Sequence, residues 1–413
     1  ATTVTIDPIT RIEGHLGIKV NVEDGVVSEA WSAGESYRGF EQILAGRDPR
    51  DAQLITQRIC GVCPIEHGVA SVLAQDMAFG VEPPTNGRLS RNLLAAANFI
   101  QSHILHFYTL SAIDFIDVTA VLAYEGRGDA MAYLKGWAQN ELSSSSYLPL
   151  APLLPRFAGD YLSDAEINLG ALGNYVEALD ARTEASRMGA LFGGKLPHAA
   201  TLITGGMTQP VTGSQIIEAQ KIIQKLRHFI DTSYLPDVVA VAGGFPQYFQ
   251  IGAGCGNYLS FGVFHEENDG SAKLLPAGVL VDGTPGAVDQ GLIEEMVGFS
   301  KFTPASGGHP YAEATDPVSG KAEAYSWLKA PRYDGHVMEV GPLARILIAY
   351  QMGDAKIVPL VDAALAGAGR SLADLNSVMG RHLARALECK IIADRTAEWI
   401  DALVDGGPVL NAH

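Results

Sequence analysis

At 413 residues, 47% hydrophobic and only 18% charged, the chain can bury a large core and is too apolar to remain disordered. Its formal net charge of −17 repels phosphate over most of the surface and excludes nucleic acid as the expected partner. Four cysteines, Cys60, Cys63, Cys255 and Cys389, are too few for a disulfide framework, so cysteine usage does not identify the compartment.

The first 47 residues read as β-rich. Apolar and polar residues alternate through VTIDPIT and HLGIKVNVEDGVV, with Asp24 and Gly25 as the turn of a short meander. ATTVTIDPIT lacks a basic-then-apolar signal pattern, so any export address is expected elsewhere. From Asp48 and Pro49 the spacing becomes helical, through DAQLITQRICGVC and EHGVASVLAQDMAFG, with breaks at Gly61 and Pro64. Further helices are expected over about 88–116, 164–192 and 213–235, making 48–236 a helical core. The apolar stretch near 88–116 carries Arg91, Asn92, Gln101, His103 and Asp114, which argues against a membrane span. Residues 237–345 are richer in Gly, Pro, Tyr and β-branched side chains and are expected to form loops with short strands. The last part, 346–413, should hold two helices, at about 355–380 and 382–404. With no repeat or flexible linker, residues 1–413 read as one large unit of α+β class, predominantly α.

The stretch QRICGVCPIEHG, residues 57–68, concentrates the chemistry. Cys60 and Cys63 stand three apart at a break between helices, with His67 four residues on. Spacing alone leaves three readings open. A structural zinc site needs four ligands, and Cys255 and Cys389 are isolated. A redox pair would prefer a preceding strand to a helix. An inert buried pair is the third.

Neighbouring motifs add a resemblance. RIEGH (11–15), RGFE (38–41) and RICGVCPxxH, in this order, resemble the N-terminal signatures of the large subunit of nickel–iron hydrogenases. The likeness continues through GRDPRDA (46–52), QSHILHFY (101–108), FGGKLPH (192–198) and APRYDGHVMEVGPLAR (330–345), to GRHLARALE (380–388). It implies that family's fold: a helical core with an N-terminal β meander and a loop-rich insertion.

By this resemblance Cys60 is a terminal thiolate on nickel and Cys63 a thiolate bridging nickel and iron, whose iron carries carbonyl and cyanide ligands. Soft thiolates suit such metals. His67 would hydrogen-bond the bridging sulfur; the plainer alternative is a capping or core histidine. Glu13 would pass protons between the metal site and solvent, work that partial burial favours. Its plainer alternative is a surface glutamate paired with Arg11. Glu41 would be a ligand of Mg2+, or else a helix-start glutamate favoured by the macrodipole. His103 and His106 share a helix face and are expected to pack rather than ligate. Ser102 stands where many family members carry aspartate, which leans toward the selenium-containing branch. Cys255 and Cys389 match no ligand position and are expected to be buried thiols.

After Trp399 the family pattern has no counterpart: the APRG arginine, the DPCxxC pair and the final histidine do not follow, and His413 is not assigned as a ligand. The other two nickel thiolates are therefore expected from a continuation of the chain or from a separate polypeptide. The resemblance implies reversible heterolytic cleavage of H2, a thiolate and then Glu13 taking the proton. The alternative is a metal-free or sensory scaffold without turnover. Electrons would leave through an iron–sulfur small subunit, because this chain lacks cluster-binding cysteines. Export with that partner to the periplasm is favoured over the cytoplasm.

Overall fold

The computed structural model describes residues 2–126, 128–144, 150–312 and 314–411, so His413 lies outside the described residues. Strands β1 (Thr2–Ile6), β2 (Leu16–Glu23) and β3 (Val26–Gly34) form the expected antiparallel meander, with Ile6 opposite Ile18 and Leu16 opposite Gly34. Asp24 and Gly25 both take positive φ, 51° and 80°, the backbone of a tight hairpin turn that matches strand twist. The sheet is moored to the later loops by Trp327, whose N–H donates to Gly34 O at 2.8 Å.

Short helices α1 (Phe40–Leu44) and α2 (Ala52–Thr56) lead to the cysteines, and α3 (Pro64–Phe79) leaves them. Helix α4 (Thr85–Leu105) is buried on nearly every face, including Arg91, Asn92 and His103, as expected of a central helix. It packs against α3, α6 (Ala165–Gly193) and α11 (Val378–Asp401); α5 (Asp129–Ser143) lies outside it against α6. Asp164 caps α6 by accepting from the N–H groups of Glu166 and Ile167 at 2.8 and 3.0 Å. Helix α7 (Gly213–Phe229) opens on a Thr212–Gln215 capping box.

The long α4 pattern does not continue as α-helix to residue 116. It widens into a π turn at His106–Ser111. A second π turn, Ile230–Tyr234, joins α7 to α8 (Leu235–Gly244), so helix runs past the expected end at 235. The wide turns meet in the core, where the Phe107 and Tyr234 rings lie 5.5 Å apart.

Hairpin strands β4 (Leu202–Ile203) and β5 (Gly206–Met207) are extended by the chain's last described residues. Met207 N–H donates to Val409 O at 2.9 Å and Asn411 N–H to Gly205 O at 3.0 Å. The loop-rich region contains more strand than expected: β6 (Tyr258–His265), β7 (Lys273–Val281) and β8 (Thr284–Gly286) form one antiparallel sheet. Strands β9 (Ile293–Met296) and β10 (Ala330–Tyr333) pair in another. Helices α9 (Pro342–Gln351) and α10 (Ile357–Ala368) complete the set.

The expected break near residue 381 is misplaced. Helix α10 ends at Gly369, in the left-handed region, and α11 starts after the Ser377 cap. Gly380 lies inside α11, where a Cβ would sit 2.1 Å from Leu375 O; it permits close packing and breaks nothing. Cys389 is buried as expected, but Cys255 is exposed, its thiol donating to Asn257 O at 3.3 Å. The main core cluster runs from Ile65 on α3 to Val409, enclosing the inner faces of α4, α6, α7 and α11.

Candidate functional site

Residues 57–59 form a single 3-10 turn, after which Cys60 is extended (φ −140°, ψ 141°) and Cys63 caps α3. The turn is held from three sides. Gln57, fully buried, donates to Gln53 Oε1 at 2.8 Å and Ala199 O at 3.1 Å. Arg38 donates to the carbonyls of Arg58, at 3.2 Å, and Ile59. The His198 imidazole bonds to the backbone of Gln57 and Cys60. The arginine of RGFE and the histidine of FGGKLPH thus fix the backbone that presents the cysteines. The sequence alone assigns His198 no role, although its motif FGGKLPH belongs to the resemblance.

The two sulfurs are neighbours. Cys60 Sγ accepts from Val62 N–H at 3.3 Å and Cys63 N–H at 3.2 Å. Cys63 Sγ lies 3.8 Å from His67 Nε2, a weak sulfur contact. Burial, the Cys60 hydrogen bond and the charges of Cys60, Glu66 and Glu13 together push the Cys63 thiol up to about 12. Such a thiol ionises only when a cation comes to replace its proton. Burial, and then the Arg38 charge, lower the pKa of His67, keeping its ring neutral and able to donate.

Glu13 is exposed, so the burial expected of it is not supplied by these residues alone, but its charge reaches Cys63. Arg11 does not pair with it; Arg11 pairs with Asp114 instead. Glu41 is exposed in the first turn of α1. Among the described residues no three His, Cys, Asp or Glu side chains converge as a metal-binding group. The donor set at Cys60 and Cys63 is nevertheless two adjacent soft sulfurs, and that fits half of a thiolate cage for a soft metal.

Behind the cysteines lies a buried ionic cluster. Arg345 donates to Glu388 Oε1 at 2.5 Å and Oε2 at 2.9 Å, and His103 Nε2 lies 2.8 Å from Oε2. Burial alone would raise the Glu388 pKa, but Arg345 and His103 overcome it and bring the carboxylate down to about 2. These residues come from QSHILHFY and from the last positions of VGPLAR and GRHLARALE, so three distant motifs meet here. The expectation that His103 packs and hydrogen-bonds agrees with this; His106 lies beside His382, ring centroids 5.7 Å apart.

Residues 38–412 match the family model described as nickel-dependent hydrogenase, and residues 3–32 match one described as HoxL-like. The periplasmic [NiFeSe] hydrogenase large subunit of Desulfomicrobium baculatum is 39% identical over 98% of this chain and 76% of the relative. The hydrogenase-2 large chain of Escherichia coli K12 is 33% identical over 97% and 78%. Among solved structures, the Ni-Fe-Se hydrogenase from D. vulgaris Hildenborough in the as-isolated oxidized state superposes with a TM-score of 0.84. It is 38% identical, covering all of this chain and 81% of that one.

Proposed function

Because this chain belongs to the nickel-dependent hydrogenase family, as a large subunit that cleaves H2 at a nickel–iron centre, we propose that Cys60 and Cys63 supply two of that centre's thiolates. The observation that carries this is the pair of adjacent sulfurs at a braced helix break, with neutral His67 beside one of them. When bound, the metal pair supplies the soft, redox-active site on which H2 is split into two protons and two electrons, its iron carrying carbonyl and cyanide.

The chain's own residues do the rest. Arg38, Gln57 and His198 hold the backbone so that both sulfurs converge before any metal arrives. His67 donates to the Cys63 sulfur and tempers its basicity. Glu13, near enough for its charge to be felt at Cys63, takes the proton outward. Glu41, at a helix start, is a hard oxygen ligand for Mg2+.

Electrons pass to an iron–sulfur small subunit, since exposed Cys255 and buried Cys389 offer no cluster-binding set. Surface area supports such a partner. The accessible surface is 19635 Å2, against about 15,000 Å2 for a compact monomer of this mass. The compartment in this reading is the periplasm, supported by the name of the Desulfomicrobium baculatum relative. No described helix is long and apolar enough to cross a membrane.

Metal analysis with infrared spectroscopy of the purified enzyme tests the reading. Nickel and iron in equal amounts, with metal-bound carbonyl and cyanide bands, are expected, and Cys63→Ser should lose both metals. Zinc in their place would overturn it.

A further inference from the structure

Glu66 stands in the first turn of α3, three residues after Cys63 and one before His67. It lies deep in the molecule, where burial lifts its pKa to about 8 against the pull of Arg345 and Asn98. Among the described residues its carboxyl has one hydrogen-bond partner, Asn98 Nδ2, at a long 3.4 Å, although a buried carboxyl can accept several bonds. Part of the side chain still remains accessible, because it borders a cavity.

That cavity offers about 90 Å3 in which water can sit, room for several molecules. Phe99 and Phe264 wall it, and its polar lining includes Glu66, Arg88, Asn92 and His265. Most of these polar groups are already engaged. Arg88 donates to Asn268 Oδ1 and His265 O, both at 2.8 Å, and Asn92 also donates to His265 O at 2.8 Å. Arg91, which lines it too, is paired with Asp76. The Glu66 carboxyl and the His265 ring are left as the cavity's proton-exchanging groups.

We propose that Glu66 is a second proton carrier of the hydrogenase reaction, passing protons between the sulfur pair and water held in this cavity, with His265 as the next acceptor. The inference rests on the H2-cleaving reading and on the thiolates at Cys60 and Cys63. In the step, the carboxylic O–H breaks as a cavity water takes its proton. The carboxylate then regains one from the sulfur side, and no electron moves. The groups that face Glu66 set its balance: Arg345 from α9 favours the carboxylate, and Glu388 from α11, itself bound to His103, opposes it. Within its own helix Glu66 acts on Cys63. Burial, then Lys273, Arg91 and Arg88, keep the His265 ring neutral and free to accept.

The test uses the metal-loaded enzyme as wild type, Glu66→Gln, Glu66→Asp and Glu13→Gln. Infrared spectra of wild type should contain a deuterium-sensitive carboxylic C=O band that disappears with a midpoint of about 8 and is missing from Glu66→Gln. Isotope exchange between D2 and water should slow measurably in Glu66→Gln with nickel and iron content unchanged, recover in part in Glu66→Asp, and fall by roughly 10²-fold when Glu66→Gln and Glu13→Gln are combined. If Glu66→Gln fails to assemble, the band in wild type and the exchange rate of Glu66→Asp carry the test. No titrating band, or unchanged exchange in Glu66→Gln, overturns the proposal. Slow exchange in Glu13→Gln beside unchanged exchange in Glu66→Gln removes Glu66 and leaves the Glu13 reading standing. Wild type without nickel and iron overturns both.

Discussion

Cys63 carries a proton that burial and its neighbours hold firmly, and Glu13 is the exposed carboxylate whose charge it feels. Glu13→Gln removes the acceptor without touching a sulfur. Nickel and iron content should be unchanged while D2–water exchange falls to the share that Glu66 carries, and by roughly 10²-fold or more once Glu66→Gln is added. Arg345→Met leaves Glu388 buried without its main partner and should cost about 3–5 kcal/mol in denaturant unfolding. Glu66 has the opposite tendency to Glu388. Its folded pKa of about 8 lies above the ordinary 4.5, so its contribution is fully present below the lower value. Stability falls as pH rises between the two, by at most about 1.4 kcal/mol per unit. Glu66→Gln should remove that slope and gain on wild type from about pH 5 to about pH 8, as read by unfolding at several pH values. Cys60, Cys63 and His67 were legible because their spacing is local. Glu66, Arg345 and Glu388 were not. A charged residue on a helix reads as solvated, and only the packing of α3, α4, α9 and α11 buries these three.

At the scale of elements, the meander was legible from strict alternation and from the Asp24–Gly25 turn, both of which act between near neighbours. The helix limits after residue 355 were not, because Gly380 serves packing against Leu375 while the chain actually turns at Gly369. Glycine has the same look in both roles. The π turns were equally hidden: apolar spacing runs through them, and their contact in the core, Phe107 against Tyr234, joins residues far apart in sequence. One close approach invites a test. Gly206 has φ of 149°, and a Cβ there would lie 1.9 Å from Val409 O. Gly206→Ala should push residues 409–411 off β5, costing about 1–3 kcal/mol and exposing the Met207 amide to hydrogen exchange.

For the molecule as a whole, the accessible surface exceeds that of a compact monomer of this mass, and the proposed small subunit would cover part of it. The assembled enzyme should therefore melt at a distinctly higher temperature than this chain purified alone, with a midpoint that depends on partner concentration. Within the chain, sites far apart in sequence are tied through α4, which carries His103 to Glu388 and Asn98 to Glu66. That tie depends on helical phase. A single residue added to an α-helix rotates everything beyond it by about 100° unless a π turn absorbs the extra length. The turn at His106–Ser111 has that extra length, so it is where the helix can lose a residue at least cost. Deleting Thr109 should turn the wide turn into ordinary helix and leave His103 on Glu388, whereas deleting Ala96 would swing His103 off Glu388. Length variation among this protein's kin should accordingly gather at the two wide turns and spare the rest of α4.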